Sequence, residues 1–257
     1  MKQKYLFICG CPRSGTTALV RLLNSHPSVA IGMERYKYYA SQQKINKINQ
    51  AAFKFDSFFN LQDNQTNINW KYFYDELEPK YKSEVEYLGD KYPHYYRFYN
   101  RINHNLGDVR WIFIVRDIAS IARSYNARAA DPKDSWSVDA DYTKAVDHWN
   151  ESLTETWKYQ KNNPEPKLFV CEYERLFSYD LDYLNSLLAF LKLERDSNVE
   201  TFFAEMKQDW LDKKAQKSQS SNKLSELETN YINEHANFTL KESLIKKFSV
   251  PYKAKAS

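Results

Sequence analysis

The stretch Gly10-Cys11-Pro12-Arg13-Ser14-Gly15-Thr16-Thr17 decides the fold of this chain of 257 residues. An apolar run over residues 5–9 precedes it, and an amphipathic run over residues 19–23 follows it. This order predicts a buried strand, a turn of small residues and the start of a helix. The two glycines permit backbone angles that other residues resist, so the turn can bend back toward the helix.

Such a turn predicts an anion-binding loop. Its amides and those of the first helical turn point at one place, where the helix dipole adds partial positive charge. Ser14, Thr16 and Thr17 add hydroxyl donors, and Arg13 adds a full positive charge. The alternative is a plain glycine turn capped by a serine or threonine, but an arginine in the middle of the loop favours the anion.

The loop differs from the common triphosphate-binding pattern G-x-x-x-x-G-K-S/T. Gly10 and Gly15 have the spacing of that pattern, but Thr16 stands where the lysine would be. Because that lysine normally reaches the β- and γ-phosphates, a nucleoside triphosphate with magnesium is disfavoured. A ligand with one phosphate and one further anionic group fits the loop better.

Composition narrows the class of protein. Lysine and arginine number 37 and the acidic residues 33, a formal net charge of +4, which suits an anionic small ligand and does not call for a nucleic-acid partner. Cys9, Cys11 and Cys171 cannot complete a set of disulfides and have no partners at zinc spacing, so we predict a reducing compartment and no metal. Since no signal peptide or long apolar span is visible, we expect a cytoplasmic protein without a membrane span.

Further apolar runs alternate with amphipathic runs along the chain. Strands are predicted at residues 28–33, 85–89, 111–115 and 167–171, which with the first run makes five. This alternation predicts a single α/β domain over residues 1–257, with a P-loop-like parallel sheet flanked by helices on both faces.

Two segments lie outside this alternation. Residues 36–85 are rich in Lys, Tyr, Phe, Asn and Gln, and we predict a helical insertion that lies over the site on the substrate side. A solvated cap without a binding role is the alternative. Toward the C-terminus we predict a polar loop over residues 213–223, a helix over residues 225–236 and a basic tail.

The residues after each predicted strand are candidates for a site, because ligands of open parallel sheets bind at the carboxyl ends of the strands. All five ends carry polar or charged groups. In chain order they are Arg13 with Ser14, Glu34, Lys91, Arg116, and Tyr173 with Glu174.

Two of these ends carry a family resemblance. Pro12-Arg13-Ser14-Gly15-Thr16-Thr17 resembles the 5′-phosphosulfate loop of sulfotransferases that use 3′-phosphoadenosine 5′-phosphosulfate (PAPS). The segment 112–117 with Ser124 is similar to the 3′-phosphate motif of that family. The resemblance implies that Arg13, Ser14, Gly15, Thr16 and Thr17 hold the phosphosulfate and that Arg116 and Ser124 hold the 3′-phosphate.

Two separate phosphate sites favour PAPS over ATP or GTP. A triphosphate presents one contiguous chain of phosphates and needs one loop, whereas PAPS carries phosphate on both sides of its ribose. The resemblance therefore implies a PAPS-dependent sulfotransferase, with 3′-phosphoadenosine 5′-phosphate (PAP) as its nucleotide product and no metal in the chemistry.

The resemblance also implies a general base. Glu34 follows His26-Pro27 at the spacing where tyrosylprotein and some carbohydrate sulfotransferases place a basic glutamate. An acceptor hydroxyl loses a proton during transfer, so a base has a chemical purpose there. Family members that use a histidine leave His94 and His104 as alternatives, and a salt bridge to Arg35 is the structural alternative for Glu34.

Three further positions follow from the resemblance. Lys91 lies in a segment similar to the Glu/Asp-Lys-x-Pro segment of carbohydrate sulfotransferases, which implies that it neutralises charge on the sulfuryl or bridging oxygen. Tyr173 begins a Tyr-Glu-x-Leu segment, which implies a contact with the nucleotide. Lys217, Ser218 and Lys223 occupy a late polar stretch where the family often returns a basic group to the nucleotide, with a solvated loop as the alternative.

The predicted function is transfer of a sulfuryl group to an acceptor hydroxyl on a glycan or glycolipid. A peptide tyrosine or a small phenol or alcohol is the alternative acceptor, since the insertion is rich in tyrosine. A nucleotide kinase with a degenerate loop and a phosphoadenosine-binding module without turnover are the rival functions. The sequence leaves the acceptor and the oligomeric state open.

Overall fold

Five parallel strands form the centre of the structure, a computed structural model that describes residues 3–66, 68–83, 85–163, 167–218 and 223–249. The strands are β1 (Lys4–Gly10), β2 (Val29–Met33), β3 (Tyr87–Lys91), β4 (Val109–Val115) and β5 (Leu168–Glu172). Their order across the sheet is β2-β3-β1-β4-β5. The predicted α/β fold is therefore confirmed, and the predicted strands differ from the observed ones by only a few residues at their ends.

Helices cover both faces of this sheet. In chain order they are α1 (Thr16–Ser25), α2 (Lys37–Ser41), α3 (Phe55–Phe59), α4 (Lys71–Tyr81), α5 (Tyr99–Leu106), α6 (Ile118–Ala129), α7 (Tyr142–Asn162), α8 (Tyr173–Phe177), α9 (Leu181–Leu191), α10 (Ser197–Ser218), α11 (Glu226–His235) and α12 (Phe238–Phe248). Short 3₁₀ helices lie at Ile45–Lys47, Gln50–Phe53, Ile68–Trp70 and Pro93–Arg97.

Strand β1 separates two apolar cores. Leu6 and Ile8 point to the face where side chains of α1 and α9 pack. Phe7 and Cys9 point to the opposite face, where Trp111 lies with side chains of α5, α6 and α7. This alternation follows from the two-residue period of a strand, and a central parallel strand is apolar on both faces because both are covered.

The register of the sheet brings the carboxyl ends of its strands to one edge. Lys91 at the end of β3 pairs with Met33 of β2 and with Ile8 of β1. On the other side, Gly10 pairs with Ile114 of β4. The residues that follow these strands therefore lie along one edge, as ligand sites in open α/β sheets require.

The insertion after β2 is attached to the sheet through Arg35, whose side chain is fully buried. Its guanidinium donates to the carbonyl oxygens of Phe58 at 2.6 Å, Ser57 at 2.8 Å and Asn60 at 3.0 Å, and to the side chain of Gln65 at 2.6 Å. These hydrogen bonds replace the water that a buried guanidinium loses, so α3 and the turn after it are fixed against the end of β2.

Two predictions for the C-terminal part are wrong. The polar loop predicted over residues 213–223 is helical as far as Ser218, since residues 197–218 contain no Gly or Pro to end α10, and residues 219–222 lie outside the described residues. The predicted basic tail contains α12, which begins with an Asn237 cap and buries Leu244 completely. Within the described residues, no helix has the length and apolar character needed to cross a bilayer.

Candidate active site

A cleft of about 1110 Å³ opens at the carboxyl edge of the sheet. The residues that line it come from the ends of β1, β2, β3 and β4, from α1, α2 and α10, from the 3₁₀ helix Ile68–Trp70, and from α6 and the loop after it. They are Pro12, Arg13, Gly15, Thr16, Thr17, Ala18, Arg21, Glu34, Lys37, Asn69, Trp70, Lys91, Tyr92, Pro93, His94, Arg116, Arg128, Ser135, Trp136, Phe202 and Met206. Six of these side chains are cationic and one, Glu34, is acidic, so the cleft favours an anionic ligand.

The loop between β1 and α1 borders the cleft through Pro12, Arg13 and Gly15, and the buried Ser14 within it is not part of the cleft lining. Its turn is closed by a hydrogen bond from the Ser14 amide to the Cys11 carbonyl at 3.0 Å. No side chain caps the N-terminus of α1 at Gly15, and its first turn has no acidic residue. The hydroxyl of Ser14 is buried without a hydrogen-bond partner among the described residues. A buried, unpaired hydroxyl beside an uncapped helix N-terminus is the donor set that an anion binds.

Gly10 and Gly15 are required by close contacts. A Cβ on Gly10 would lie 2.4 Å from the carbonyl oxygen of Ile114, and a Cβ on Gly15 would lie 2.6 Å from the ring of Tyr173. Gly15 also has a φ of +100°, where a side chain is strained. The glycines therefore let the loop pass directly over β4 and α8.

Arg116 is stacked at the end of β4. Its guanidinium carbon lies 4.0 Å from the centre of the Tyr173 ring, and its Nη1 donates to the carbonyl of Arg13 at 3.0 Å. Its Nε is buried and has no hydrogen-bond partner among the described residues. Tyr173 thus contacts Arg116 directly, and it also packs face to face with Phe177 at 4.2 Å between ring centres.

The two predicted phosphate sites touch each other. The Nε of Arg13 donates to the hydroxyl of Ser124 on α6 at 2.9 Å, so the loop after β1 and the helix after β4 are joined by one side chain. Burial and the positive charges of Arg128 and Arg116 lower the pKa of Arg13. The positive charge of Arg13 is therefore less favourable here than in water, and an anion would stabilise it.

Glu34 and Lys91 form an ion pair on the other side of the cleft. The Nζ of Lys91 lies 3.0 Å from Oε1 of Glu34 and 3.3 Å from the hydroxyl of Thr17, and its side chain is buried. Lys37 approaches Oε2 of Glu34 at 3.5 Å. Burial alone would raise the pKa of Glu34, but the charges and hydrogen bonds of Lys91 and Lys37 outweigh it and lower that pKa. Glu34 is therefore ionised at neutral pH, as a general base has to be.

The histidine alternatives differ in position. His94 lines the cleft and shares a hydrogen bond with the hydroxyl of Tyr96 at 3.0 Å. Burial and the nearby charges of Arg97 and His148 lower the pKa of His94 to about 3. His104 is exposed on α5 and lies outside the cleft lining. A histidine with so low a pKa is neutral at pH 7, so it holds no charge in this cleft.

Of the late polar residues Lys217, Ser218 and Lys223, only Lys223 can be located relative to the cleft. Lys217 and Ser218 belong to the last turn of α10, and their side chains lie outside the described residues. Lys223 is exposed and is not part of the cleft lining.

The described part of the chain contains neither an exposed cysteine nor a cluster of metal-ligating side chains. Cys9, Cys11 and Cys171 are buried and unpaired, and burial raises the pKa of the Cys9 thiol to about 12. A thiol with so high a pKa is a poor nucleophile at neutral pH. No three acidic, histidine or cysteine side chains of the described ranges gather as metal ligands would.

Sequence reasoning missed several residues of the cleft. Trp70 comes from the insertion, Arg128 and Trp136 come from α6 and the loop after it, and Phe202 and Met206 come from α10. None belongs to a motif, and their approach depends on contacts between elements far apart in sequence. The one available signal was the tryptophans in polar segments, since an aromatic ring there indicates a contact surface.

Fold and site together define an α/β protein with a loop suited to an anion after its first strand, a second basic site after β4, and the ion pair of Glu34 and Lys91 at the ends of β2 and β3. A model of the sulfotransferase family matches residues 6–197, and the chain belongs to this family.

Comparisons with individual proteins agree with this assignment. The chain is 24% identical over 191 residues to protein-tyrosine sulfotransferase 1 of Danio rerio, which covers 73% of this chain and 53% of that protein. The chain thus spans about half the length of the curated relative it matches. The sulfotransferase domain from the curacin biosynthetic pathway superposes with a TM-score of 0.53 at 16% identity, over 99% of this chain and 94% of that domain. The sulfotransferase domain of the Synechococcus PCC 7002 olefin synthase gives a TM-score of 0.52 at 18% identity, over 77% of each chain. At these identities the two structures support the fold.

Proposed function

We propose that this protein transfers a sulfuryl group from PAPS to an acceptor hydroxyl. The observation that carries the proposal is the position of two basic sites, at the ends of β1 and β4, beside the ionised pair of Glu34 and Lys91. The two basic sites suit a ligand with phosphate on both sides of a ribose. The pair supplies the charges that transfer from such a donor needs.

The residues at the two basic sites fit PAPS. The unpaired hydroxyl of Ser14 and the uncapped N-terminus of α1 would receive the 5′-phosphosulfate, with hydroxyls from Thr16 and Thr17. The unpaired Nε of Arg116 would receive the 3′-phosphate, with the hydroxyl of Ser124. Tyr173 would support the 3′-phosphate site indirectly, because its ring stacks against the guanidinium of Arg116 and holds it in place.

Glu34 and Lys91 would perform the chemistry. When bound, PAPS supplies a sulfuryl group on an anhydride linkage to a phosphate leaving group. Glu34 would accept the proton of the acceptor hydroxyl at Oε2, the oxygen farther from Lys91, which Lys37 approaches at 3.5 Å. Lys91, held by Thr17 and Glu34, would place its charge beside the oxygens on which negative charge develops. As in phosphoryl transfer, catalysis here would be alignment and charge stabilisation, without a covalent intermediate on the protein.

The acceptor that we propose is a hydroxyl of a glycan or glycolipid. Aromatic walls from Trp70, Tyr92 and Trp136 flank the cleft together with the polar groups of Asn69 and Ser135. Aromatic faces with polar groups beside them suit a sugar ring, which has apolar faces and hydroxyl edges. A peptide tyrosine is the second candidate, since the zebrafish relative is a protein-tyrosine sulfotransferase.

Nucleotide binding is tested by calorimetric titration with PAP and with ATP. The wild type is expected to bind PAP and to prefer it over ATP, because only PAP uses both basic sites. Arg116→Ala is expected to weaken PAP binding at least about 30-fold, since a charged hydrogen bond to phosphate is lost. Arg101→Ala is the matched control, because Arg101 is exposed on α5 outside the cleft. Tighter binding of ATP than of PAP would favour the kinase and contradict the proposal.

Transfer is tested with ³⁵S-labelled PAPS and a panel of saccharides, tyrosine peptides and simple phenols. Glu34→Gln is expected to lower kcat by about 10²-fold or more while PAP binding is retained, since general bases contribute that much. Glu76→Gln, an exposed carboxylate on α4, is the matched control. A nucleotide-binding module without turnover would transfer label to no acceptor, and a panel in which only the peptides are labelled would replace the glycan by tyrosine.

A further inference from the structure

The turn that carries Glu34 is held in an unfavourable backbone conformation. Glu34 has a φ of +55°, in the left-handed region that residues other than glycine seldom adopt. Such conformations persist only where the surroundings fix them, and they concentrate at functional sites. The side-chain direction of Glu34, and with it the distance to Lys91, depends on what holds this turn.

Three consecutive amides of the turn are bound to the end of β3. The Glu34 amide donates to the carbonyl of Lys91 at 2.7 Å. The next two amides donate to a single carboxylate, that of Asp90: the Arg35 amide to Oδ1 at 2.9 Å and the Tyr36 amide to Oδ2 at 3.0 Å. One buried side chain thus fixes the two peptide groups that follow Glu34.

The carboxylate of Asp90 is itself fixed in position. It is fully buried, its Oδ1 also accepts from the Lys91 amide at 2.9 Å, and its Oδ2 accepts from the hydroxyl of Tyr95 at 2.6 Å. The guanidinium of Arg35 donates to residues 57–65 rather than to this carboxylate, so only the backbone amide of Arg35 is bound to Asp90. The carboxylate therefore accepts two hydrogen bonds from the turn, one from its own strand and one from Tyr95.

We infer that Asp90 is a positioning residue for Glu34: it holds the turn so that the carboxylate of Glu34 meets Lys91 and the acceptor hydroxyl. This inference rests on the proposed function of Glu34 as general base. Asp90 is not part of the cleft lining, and it reaches Glu34 through the two amides that follow that residue.

Asp90 is ionised at the pH of the proposed assay, pH 8. Burial raises the pKa of Asp90 to about 6, although the hydrogen bonds from Tyr95, Arg35 and Tyr36 and the charge of Lys91 lower it. The ionisable groups around the carboxylate are Arg35, Tyr36, Tyr74, Lys91 and Tyr95. Burial raises the pKa of each of the three tyrosines, so all three are neutral at pH 8, where Asp90 is a carboxylate.

The test is Asp90→Asn, alone and combined with Glu34→Gln, assayed at pH 8 with ³⁵S-labelled PAPS and the panel acceptor that gives the highest wild-type rate. The amide keeps one acceptor oxygen and turns its NH₂ toward the amide of Tyr36, so the turn loses one hydrogen bond. We expect kcat to fall by about 30- to 100-fold, as misplacement of a reacting group costs, while KM for PAPS and the dissociation constant of PAP stay within about threefold. In the Glu34→Gln background the same substitution is expected to cost nothing further.

Tyr95→Phe is the matched control. It removes a hydrogen bond from the same carboxylate but leaves both amides of the turn bound, so kcat is expected to stay within about threefold of the wild type. Every rate is divided by the number of PAP-binding sites measured by calorimetry, which removes misfolded protein from the comparison. If Asp90→Asn yields no binding sites, Asp90→Glu is measured in the same way, since it keeps the charge and displaces it by one methylene group.

Wild-type kcat in the Asp90 variant that folds would overturn the inference. An equal fold-loss of kcat with and without Glu34 would also overturn it, because a purely structural effect would lower the rate by the same factor in both backgrounds. Failure of the proposed function looks different. In that case the wild type transfers no sulfuryl group or Glu34→Gln costs no rate, and the inference falls with it.

Discussion

Gly15 shows how a single methyl group would disturb the anion-binding loop. A Cβ there would enter the ring of Tyr173 at 2.6 Å, and that ring supports Arg116 at 4.0 Å. The residue therefore links the two basic sites, although it has no side chain of its own. Its importance comes from close packing as much as from its left-handed backbone.

Gly15→Ala is expected to lower the free energy of unfolding by about 3 kcal/mol, through backbone strain and overpacking together. Gly107→Ala is the matched control. Gly107 also has a positive φ, of +87°, but a Cβ there meets nothing within 4 Å, so about 1 kcal/mol of strain is expected. Urea unfolding measures both. Equal losses would show that Tyr173 moves aside at no cost and would contradict the packing account.

Removal of His94, followed by rate and pH profile, separates the two candidate bases. The pKa of Glu34 is lowered and that of His94 is about 3, so neither group changes its charge between pH 6 and 8. We expect the kcat–pH curves of the wild type and of His94→Gln to have the same shape between pH 5.5 and 8.5. We also expect His94→Gln to cost less than about tenfold, against 10²-fold or more for loss of a true general base.

Loss of an acid-side decline in His94→Gln, or a greater loss of kcat than in Glu34→Gln, would contradict this assignment. It would show that the imidazole carries the proton and that its surroundings rearrange when nucleotide and acceptor bind.

At the scale of elements, α12 is a structural part of the domain. Asn237 caps it, with its side chain accepting from the Leu240 amide at 3.0 Å, and Phe248 packs on Trp157 of α7 at 6.0 Å between ring centres. Ser249, just beyond it, donates to the carboxylate of Glu172 at the end of β5 at 2.6 Å. This helix therefore packs beside β5, the edge strand on the opposite side of the sheet from β2 and Glu34.

Leu244→Ala is expected to lower the free energy of unfolding by about 2–4 kcal/mol, because it removes a fully buried side chain and leaves a cavity. The matched control is Leu227→Ala on α11, where the leucine is 80% exposed and the expected change is within about 0.5 kcal/mol. Urea unfolding again gives the comparison. A change at Leu244 as small as that at Leu227 would show that α12 is not docked.

The helix α12 also shows which structural features could not be predicted from sequence patterns. The strands could be predicted because apolar runs between polar turns are local features. The helix α12 could not, because its lysines outnumber its buried residues and its apolar stripe has meaning only against α7 and β5. Likewise α10 continues past Met206 since nothing in its sequence ends it, and a polar composition was mistaken for a loop.

For the whole molecule, the fold and the family followed from the sequence, while the site followed only in outline. Motifs named the residues at the strand ends, and the parallel sheet implied that they meet at one edge. The contact of Arg13 with Ser124, the ring of Tyr173 beneath Arg116 and the grip of Asp90 on the turn after β2 are contacts between distant segments. No spacing in the chain encodes them, because each depends on how two elements pack.

The strand order β2-β3-β1-β4-β5 divides the functional edge into two halves. The residues proposed to bind the nucleotide follow β1, β4 and β5 in the chain, whereas Glu34, Lys91 and the inserted helices belong to β2, β3 and the chain between them. In the proposed function, the chemistry and much of the acceptor wall thereby come from one contiguous stretch, residues 34–92, and the donor sites come from the sequence before and after it. Grafting residues 36–86 from one family member onto another should transplant acceptor preference while the recipient keeps its own donor, a modularity that natural divergence could exploit as readily as engineering.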